Sequence, residues 1–127
     1  MSGKFANQVA VVTGASTGIG FAIAQGLIAE GAKRVYITGR SAATLEAAVA
    51  KLGDRAVAVI SDVACQADLD KLKATIEARN DQLDSVFANA GICEKNPLGE
   101  TTEAAYFNMF DINVKGVFFT VQTLMPL

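Results

Sequence analysis

The sequence has no histidine and no tryptophan, and its 127 residues include only two cysteines and two prolines. Without histidine the chain cannot carry a Ser-His-Asp triad or histidine-based acid–base chemistry, and most zinc sites are excluded, so we predict no metal site. Cys65 and Cys93 are too few for a disulfide framework, and residues 1–12 show no secretory signal pattern. These absences favour a reducing, cytoplasmic location.

An excess of charge of one sign and long apolar runs are also missing. Eleven lysines and arginines face thirteen aspartates and glutamates, and the basic residues are scattered along the chain. The sequence therefore predicts neither nucleic-acid binding nor an anionic membrane surface as a partner. No uninterrupted apolar stretch reaches membrane-spanning length. Because 51% of the residues are hydrophobic, we expect residues 1–127 to form a single domain with one core.

Short apolar runs alternate with segments of helical periodicity. The runs predict strands at Val9–Val12, Arg34–Thr38, Ala56–Ile60 and Asp84–Ala88. Three helices are predicted between them: one with Ile19, Ile23 and Leu27 on its apolar face, closed by Gly31; one capped by Ser41, with Leu45, Ala48, Val49 and Leu52 inward; and one over Gln66–Arg79, with Leu69, Leu72 and Ile76 inward. This alternation indicates the α/β class, with a Rossmann-type doubly wound parallel sheet in the order 3-2-1-4.

The last part of the sequence predicts one long helix over Glu103–Leu124, which Pro126 stops. Its apolar residues form a single broad stripe of Phe107, Phe110, Val114, Val117, Phe118 and Val121. We expect no fifth strand or further helix after it, which leaves the stripe uncovered and the fourth strand at a bare sheet edge. Self-association through the helix or through that edge is therefore predicted.

The residues that follow the first strand, Thr13–Gly20, read Thr-Gly-Ala-Ser-Thr-Gly-Ile-Gly. Glycine allows a tight turn and lets a phosphate approach the backbone, and the N–H groups at the start of the next helix attract an anion. A glycine triplet also occurs in ordinary strand-to-helix turns. With a strand before it and a helix after it, this turn predicts a pyrophosphate site.

Polar or glycine-containing segments follow the other three strands as well. They are Gly39-Arg40, Asp62-Val63 and Asn89–Gly91. Each segment alone is explained by turn chemistry, and Asp62 alone by a helix-capping role. Because the carboxyl ends of parallel strands meet at one edge of a sheet, the four segments together favour a ligand site there.

These motifs together resemble the N-terminal half of the short-chain dehydrogenase/reductase family. Thr13-Gly14-x-x-x-Gly18-Ile19-Gly20 is similar to the family's phosphate loop and Asp62-Val63 to its adenine-contacting pair. Asn89–Gly91 is similar to its Asn-Asn-Ala-Gly turn, in which Ala88 departs at the first position. The resemblance implies nicotinamide dinucleotide binding by Thr13, Gly14, Ser16, Thr17, Gly18, Ile19, Gly20, Arg40, Ser41, Asp62, Val63, Asn89, Ala90 and Gly91.

The resemblance extends to residues 111–116, which are similar to the stretch that carries the family's helix-borne asparagine. It implies a catalytic role for Asn113, which would hold a water in the proton relay behind the active-site lysine. The alternative is a structural amide that bonds across to a neighbouring strand, because an amide among apolar helix residues needs partners.

The end of the second strand bears on the choice of cofactor. Relatives that prefer NAD have an acidic residue where this sequence has Gly39, and Arg40 follows it. An arginine there can hold a 2′-phosphate in a fork, so NADP(H) is favoured over NAD(H). The alternative is that Arg40 merely opens the second helix at the surface.

The family's catalytic serine and its Tyr-x-x-x-Lys motif have no counterpart in these residues. The two tyrosines, Tyr36 and Tyr106, have no lysine four positions later. We therefore predict the cofactor-binding half of an NADP(H)-dependent oxidoreductase, inactive alone, that would transfer hydride to or from a small carbonyl or alcohol substrate if the C-terminal half is supplied. The alternatives are a non-catalytic dinucleotide-binding or regulatory module, and an unrelated Rossmann-type protein such as a methyltransferase, which would want an acidic residue ending the second strand.

Overall fold

Four parallel strands form one sheet in the order β3-β2-β1-β4 in the computed structural model, which describes residues 3–127. The strands are β1 (Val9–Val12), β2 (Arg34–Gly39), β3 (Ala56–Ile60) and β4 (Ser85–Phe87). β1 is buried along its whole length because it is paired on both sides, with β2 and with β4. The α/β class and the strand order predicted from the sequence are confirmed.

Helices follow the strands and cover both faces of the sheet. They are α1 (Gly18–Ala29), α2 (Ala42–Leu52), α3 (Gln66–Ala78), α4 (Glu103–Phe110) and α5 (Gly116–Leu124). One apolar cluster joins α1 and α2 to the sheet through Leu27, Ile37 and Leu45. A second cluster, with Tyr36, Leu72, Ile76 and Leu124, joins α3 and α5 to the other face.

The predicted final helix over Glu103–Leu124 is confirmed in its bounds, but its middle is not a regular α-helix. A π-helical segment, Asp111–Lys115, separates α4 from α5. The wider turn accompanies two tertiary contacts: Ile112 is buried in a third apolar cluster, and Asn113 pairs with the backbone of Ile92. Both contacts join residues distant in sequence, and a helical hydrophobic period does not encode them.

The predicted apolar face of the first helix is also partly wrong. Ile19 is exposed and Ile23 is half-buried, whereas Gly20, Ala24 and Leu27 are buried. Gly20 packs against the glycine turn, and Ala24 and Leu27 pack with the sheet residues in the first apolar cluster, whereas Ile19 remains outside it. β3 is an edge strand, as the predicted order implies, and its last residue, Ile60, is 54% exposed.

A buried carboxylate, Asp81, forms a hydrogen bond and ion pairs with residues at the start of β2. It accepts a hydrogen bond from the Tyr36 hydroxyl at 2.6 Å and forms ion pairs with Arg34 Nε at 2.9 Å and Lys33 Nζ at 3.4 Å. Burial works to raise the pKa of Asp81, but the Tyr36 hydrogen bond and the two cations outweigh it and hold the pKa below its usual value. Burial, then the bond to Asp81, raises the pKa of Tyr36.

The helical region at the end of the chain exposes most of its predicted apolar stripe. Its largest exposed members are Phe107, Phe110, Val114, Phe118 and Val121. Within residues 3–127, no helix combines the length and the apolar character needed to cross a membrane.

Candidate functional site

A cavity of about 420 Å³ lies at the carboxyl edge of the sheet. It is bordered by the segments that follow all four strands, as expected for parallel strands that end at one edge. Its lining residues are Gly14, Ser16, Thr17, Ile19, Thr38, Gly39, Arg40, Ser61, Asp62, Val63, Asn89, Ala90, Gly91, Ile92 and Ile112. Among the residues predicted to bind a cofactor, Thr13, Gly18, Gly20 and Ser41 do not line the cavity; each adjoins a residue that does.

The glycine turn is shaped by close backbone contacts. A Cβ at Gly14 would lie 2.8 Å from Ala90 Cα, and one at Gly20 would overlap the Gly14 carbonyl oxygen. Gly18 has no atom within 4 Å of a Cβ, but its φ of 63° is in the left-handed region. Gly14 and Gly20 therefore allow close packing of the turn, and Gly14, with a φ of 64°, and Gly18 allow its left-handed backbone conformation.

The N-terminus of α1 is open toward the cavity. Its N-cap residue, Thr17, makes no side-chain hydrogen bond to the helix, whereas Ser41 Oγ accepts from Thr44 N at the start of α2. The N–H groups of the first turn of α1 thus receive no side-chain cap, and they carry the positive end of the helix dipole. A phosphate group fits this position.

Two side chains hold the glycine turn against the segment after β4. Asn89 Nδ2 donates to the carbonyl oxygens of Thr13 and Gly14 at 3.2 and 3.3 Å. The buried Thr13 hydroxyl accepts from Ala90 N at 3.0 Å. Because these groups bond within the protein, Thr13 and the Asn89 amide nitrogen shape the cavity by positioning its backbone.

Arg40 follows the last residue of β2 and is exposed at the cavity. In the part of the chain that the structure describes, its guanidinium makes no ion pair. The neighbouring Gly39 leaves no carboxylate at the end of β2. Ser41 caps α2 as predicted. The edge of the cavity therefore offers a cation with five unshared donors.

Asp62 and Val63 occupy the end of β3. Asp62 Oδ1 accepts from Ala64 N at 2.9 Å, and the N-cap of α3 is Cys65, so the carboxylate forms a local turn instead of capping the helix. Val63 is buried, and a Cβ on Gly116 would approach its Cγ2 to 2.7 Å. This close packing fixes the wall of the cavity beside β3.

Asn113 pairs with the loop after β4. Its Nδ2 donates to Ile92 O at 2.7 Å, and its Oδ1 accepts from Ile92 N at 2.8 Å. Gly91 permits this approach, because a Cβ there would lie 3.1 Å from Asn113 Oδ1. The pairing resembles the structural alternative weighed from the sequence, except that the partner is a loop and not a strand.

Two residues of the cavity wall, Thr38 and Ser61, were missed by the sequence reasoning. Both are buried, and neither hydroxyl has a hydrogen-bond partner within residues 3–127. The only signal in the sequence is that each is a polar residue at the end of an apolar run. That pattern is common at strand ends, so it does not distinguish a ligand-facing hydroxyl from a turn residue.

The sheet order, the glycine turn and the cavity at the strand ends define a Rossmann-type fold. The pattern of the short chain dehydrogenase family matches residues 8–127 of the sequence. The chain therefore belongs to the short-chain dehydrogenase/reductase family, whose members are oxidoreductases that bind nicotinamide dinucleotides.

Relatives and solved structures agree with this assignment. Oxidoreductase asL5 of Sarocladium schorii is 44% identical over 124 residues, which cover 98% of this chain and 49% of that protein. Galactitol 2-dehydrogenase of Agrobacterium fabrum is 36% identical over 118 residues, with coverages of 93% and 46%. A short-chain dehydrogenase/reductase of Brucella melitensis, described as glucose/ribitol dehydrogenase, has a TM-score of 0.91 and 31% identity over 99% of this chain and 54% of that one. The chain spans about half the length of the curated relatives it matches.

Proposed function

We propose that this chain is the NADP(H)-binding part of an oxidoreductase that transfers hydride between the nicotinamide and a carbonyl or alcohol carbon. The observation that carries the cofactor choice is Arg40, exposed at the cavity without an ion-pair partner and preceded by Gly39 in place of a carboxylate. A guanidinium in this position matches the fork geometry of a phosphate, and the preceding Gly39 carries no charge that would repel one.

The other cavity residues would each contact a different part of the cofactor along the carboxyl edge of the sheet. The open N-terminus of α1, with Gly14, Ser16 and Ile19 nearby, suits the pyrophosphate. The β3 end, with Asp62 and Val63, suits the adenine. The β4 end, at Asn89–Gly91, suits the nicotinamide ribose, and Asn113 beside it would support proton transfer. When bound, the cofactor supplies the hydride, and these residues orient it.

Calorimetric titration tests the choice of cofactor. We expect NADPH to bind more tightly than NADH by about 1.5–3 kcal/mol, the range for hydrogen bonds to charged groups. Arg40→Ala should remove most of the difference, whereas Arg79→Ala, which removes an exposed arginine at the end of α3, should leave it unchanged. Equal affinities in the unmutated chain would contradict the NADP(H) preference, and no binding of either cofactor would contradict the proposed function.

We also propose that the 127 residues alone do not reduce carbonyl substrates. They contain no Tyr-x-x-x-Lys motif and no histidine to deliver the proton, and general acid–base catalysis contributes about 10²–10⁴ in rate. NADPH consumption over a panel of ketones and aldehydes is the assay. Turnover by this chain would contradict the proposal. Tight cofactor binding without turnover by a longer product of the same frame would favour a non-catalytic dinucleotide-binding module.

Self-association through the exposed apolar stripe is a further part of the proposal. Phe107, Phe110, Val114, Phe118 and Val121 point into solvent on one side of the final helical region. Burying a large apolar side chain contributes about 1.5–3 kcal/mol, so covering several of them favours a homo-oligomer. β4 offers a second surface, because it is an unpaired sheet edge among the described residues.

We place the protein in the cytoplasm for a chemical reason. Cys65 and Cys93 are both exposed and both free, a state that a reducing compartment maintains. Imaging of a tagged protein in its own cells tests the location, and accumulation in a secretory compartment would contradict it.

A further inference from the structure

Two hydroxyl groups in the wall of the cavity lack hydrogen-bond partners. Thr38 and Ser61 are 1% and 2% exposed and both line the cavity. Neither Thr38 Oγ1 nor Ser61 Oγ bonds to any group of the described residues. Leaving a buried hydroxyl unpaired is unfavourable, and buried polar atoms in proteins normally have a partner. The two groups therefore call for a partner from outside the chain.

The two hydroxyls lie on the same face of the sheet, Thr38 within β2 and Ser61 directly after the last residue of the neighbouring β3. Thr38 lies two residues from Tyr36 on β2, and Ser61 lies two residues from Val59 on β3, so each pair shares a face. Tyr36 and Val59 belong to one apolar cluster, which places Thr38 and Ser61 on that face together. Ser61 N also donates to Gly39 O at 2.9 Å. The pair thus lies at the β2–β3 end of the cavity.

The neighbours of this pair indicate which part of a ligand would meet it. Arg40 and Asp62 directly follow the strand ends that carry Thr38 and Ser61, whereas the glycine turn and Asn89 lie toward β1 and β4. The β2–β3 end is the side proposed above for the adenosine 2′-phosphate and the adenine. Adenosine has an amino donor and ring-nitrogen acceptors, and each hydroxyl both donates and accepts.

We propose that Thr38 and Ser61 are specificity-determining residues for the adenosine end of the cofactor, an inference that rests on the proposed function. Because both residues line the cavity, their hydroxyls would exchange hydrogen bonds with the polar atoms of the nucleoside when it binds. The desolvation cost carried by the unliganded chain is then offset on binding. A buried hydroxyl that has a hydrogen-bond partner within the protein would instead stabilise the unliganded chain.

Binding and stability measurements on the same variants test this inference. The double variant Thr38→Val, Ser61→Ala removes both hydroxyls with little change of shape. We expect it to bind 2′,5′-ADP about tenfold more weakly, as the loss of hydrogen bonds to two hydroxyls implies. The urea midpoint of the unliganded variant should be unchanged or raised, because no paired hydrogen bond is lost. The preference for NADPH over its hypoxanthine analogue should also narrow.

Thr120→Val is the matched control. The Thr120 hydroxyl is equally buried, but it donates to Gly116 O and it does not line the cavity. This variant should lower the urea midpoint and leave the affinity for 2′,5′-ADP unchanged. If the unmutated chain binds 2′,5′-ADP and the double variant binds it equally well, the inference is overturned while the proposed function stands. If the unmutated chain binds neither 2′,5′-ADP nor NADPH, the proposed function fails, and this inference with it.

Discussion

At the scale of single residues, Gly20 and Gly26 show how surroundings decide what a glycine does. Both lie in α1 with ordinary helical backbone. A Cβ at Gly20 would overlap the backbone of the glycine turn and lie 2.6 Å from Asn89 Nδ2, whereas a Cβ at Gly26 would meet nothing within 4 Å. The first glycine is required by the packing of the site, and the second is replaceable.

Alanine substitutions at these two positions should therefore have opposite effects. Gly20→Ala should lower the free energy of unfolding by about 1–3 kcal/mol, the usual cost of overpacking. Gly26→Ala should raise it by about 0.5–1 kcal/mol, because alanine is the better helix former and meets no obstacle. Urea denaturation of both variants is the measurement, and a stabilised Gly20→Ala would show that the turn packs differently.

Asp81 makes a second residue-scale prediction, for the dependence of stability on pH. The pKa of its carboxylate is lower in the folded chain than in the unfolded one, so its contribution is present at neutral pH and is lost as the pH falls through the folded pKa, below about pH 4. Asp81→Asn should cost about 1–3 kcal/mol at pH 7. The difference from the unmutated chain should shrink on acidification.

Urea denaturation across the pH range measures this effect. Asp54→Asn is the control, because Asp54 is exposed and carries none of these ion pairs. A constant difference between Asp81→Asn and the unmutated chain from neutral to acidic pH would contradict the account of Asp81.

At the scale of elements, the final helical region combines a site-facing part with an exposed part. The π-helical segment Asp111–Lys115 presents Ile112 to the cavity and Asn113 to the loop after β4. The stripe on α4 and α5 faces solvent, with Phe118 59% exposed. One element can thus shape the cofactor site and offer an association surface at the same time.

Phe118→Glu should weaken self-association without unfolding the chain. The substitution puts a charge into the centre of the stripe, where an apolar partner surface would have to desolvate it. Ala50→Glu adds the same charge on the exposed side of α2 and should have no effect. Sedimentation velocity at tens of micromolar is the measurement, and a monomeric unmutated chain would contradict association through this stripe.

The sequence predicts an element well when neighbouring residues determine it, and poorly when contacts between residues distant in sequence determine it. The strands and α3 followed from apolar runs and from Leu69, Leu72 and Ile76, because buried periodicity is a local signal. The π-helical segment could not be predicted, since it accompanies the pairing of Asn113 with Ile92, 21 residues away. Ile19 was misplaced for a related reason: Gly20 packs against the glycine turn and Ala24 in the apolar cluster, and the sequence does not show either tertiary contact.

The cavity, too, was predicted in part: its position was predicted, but two of its polar wall residues were not. The spaced motifs at the strand ends indicated its position, because parallel strands must end together. The partnerless hydroxyls of Thr38 and Ser61 gave no comparable signal, since whether a buried hydroxyl has a partner depends on strand register and on side chains distant in sequence.

At the scale of the whole molecule, the cavity and the ion pairs of Asp81 lie at opposite ends of the sheet. The cavity lies at the carboxyl ends of the strands, while Asp81 joins Lys33 and Arg34 at the start of β2. A ligand at the cavity should therefore perturb one end of the molecule and leave the other unchanged. The fold is shared with oxidoreductases about twice as long, so cofactor binding is the activity that these residues can be tested for directly.

The most direct test is to map NADP⁺ binding on the ¹⁵N-labelled chain by amide chemical shifts. The account predicts saturable changes at Gly14–Gly20, Arg40, Asp62–Val63 and Asn89–Gly91, with none at Lys33 or Asp81. Saturable changes centred on the Asp81 end of the sheet, or unchanged spectra in the presence of excess NADP⁺, would contradict it.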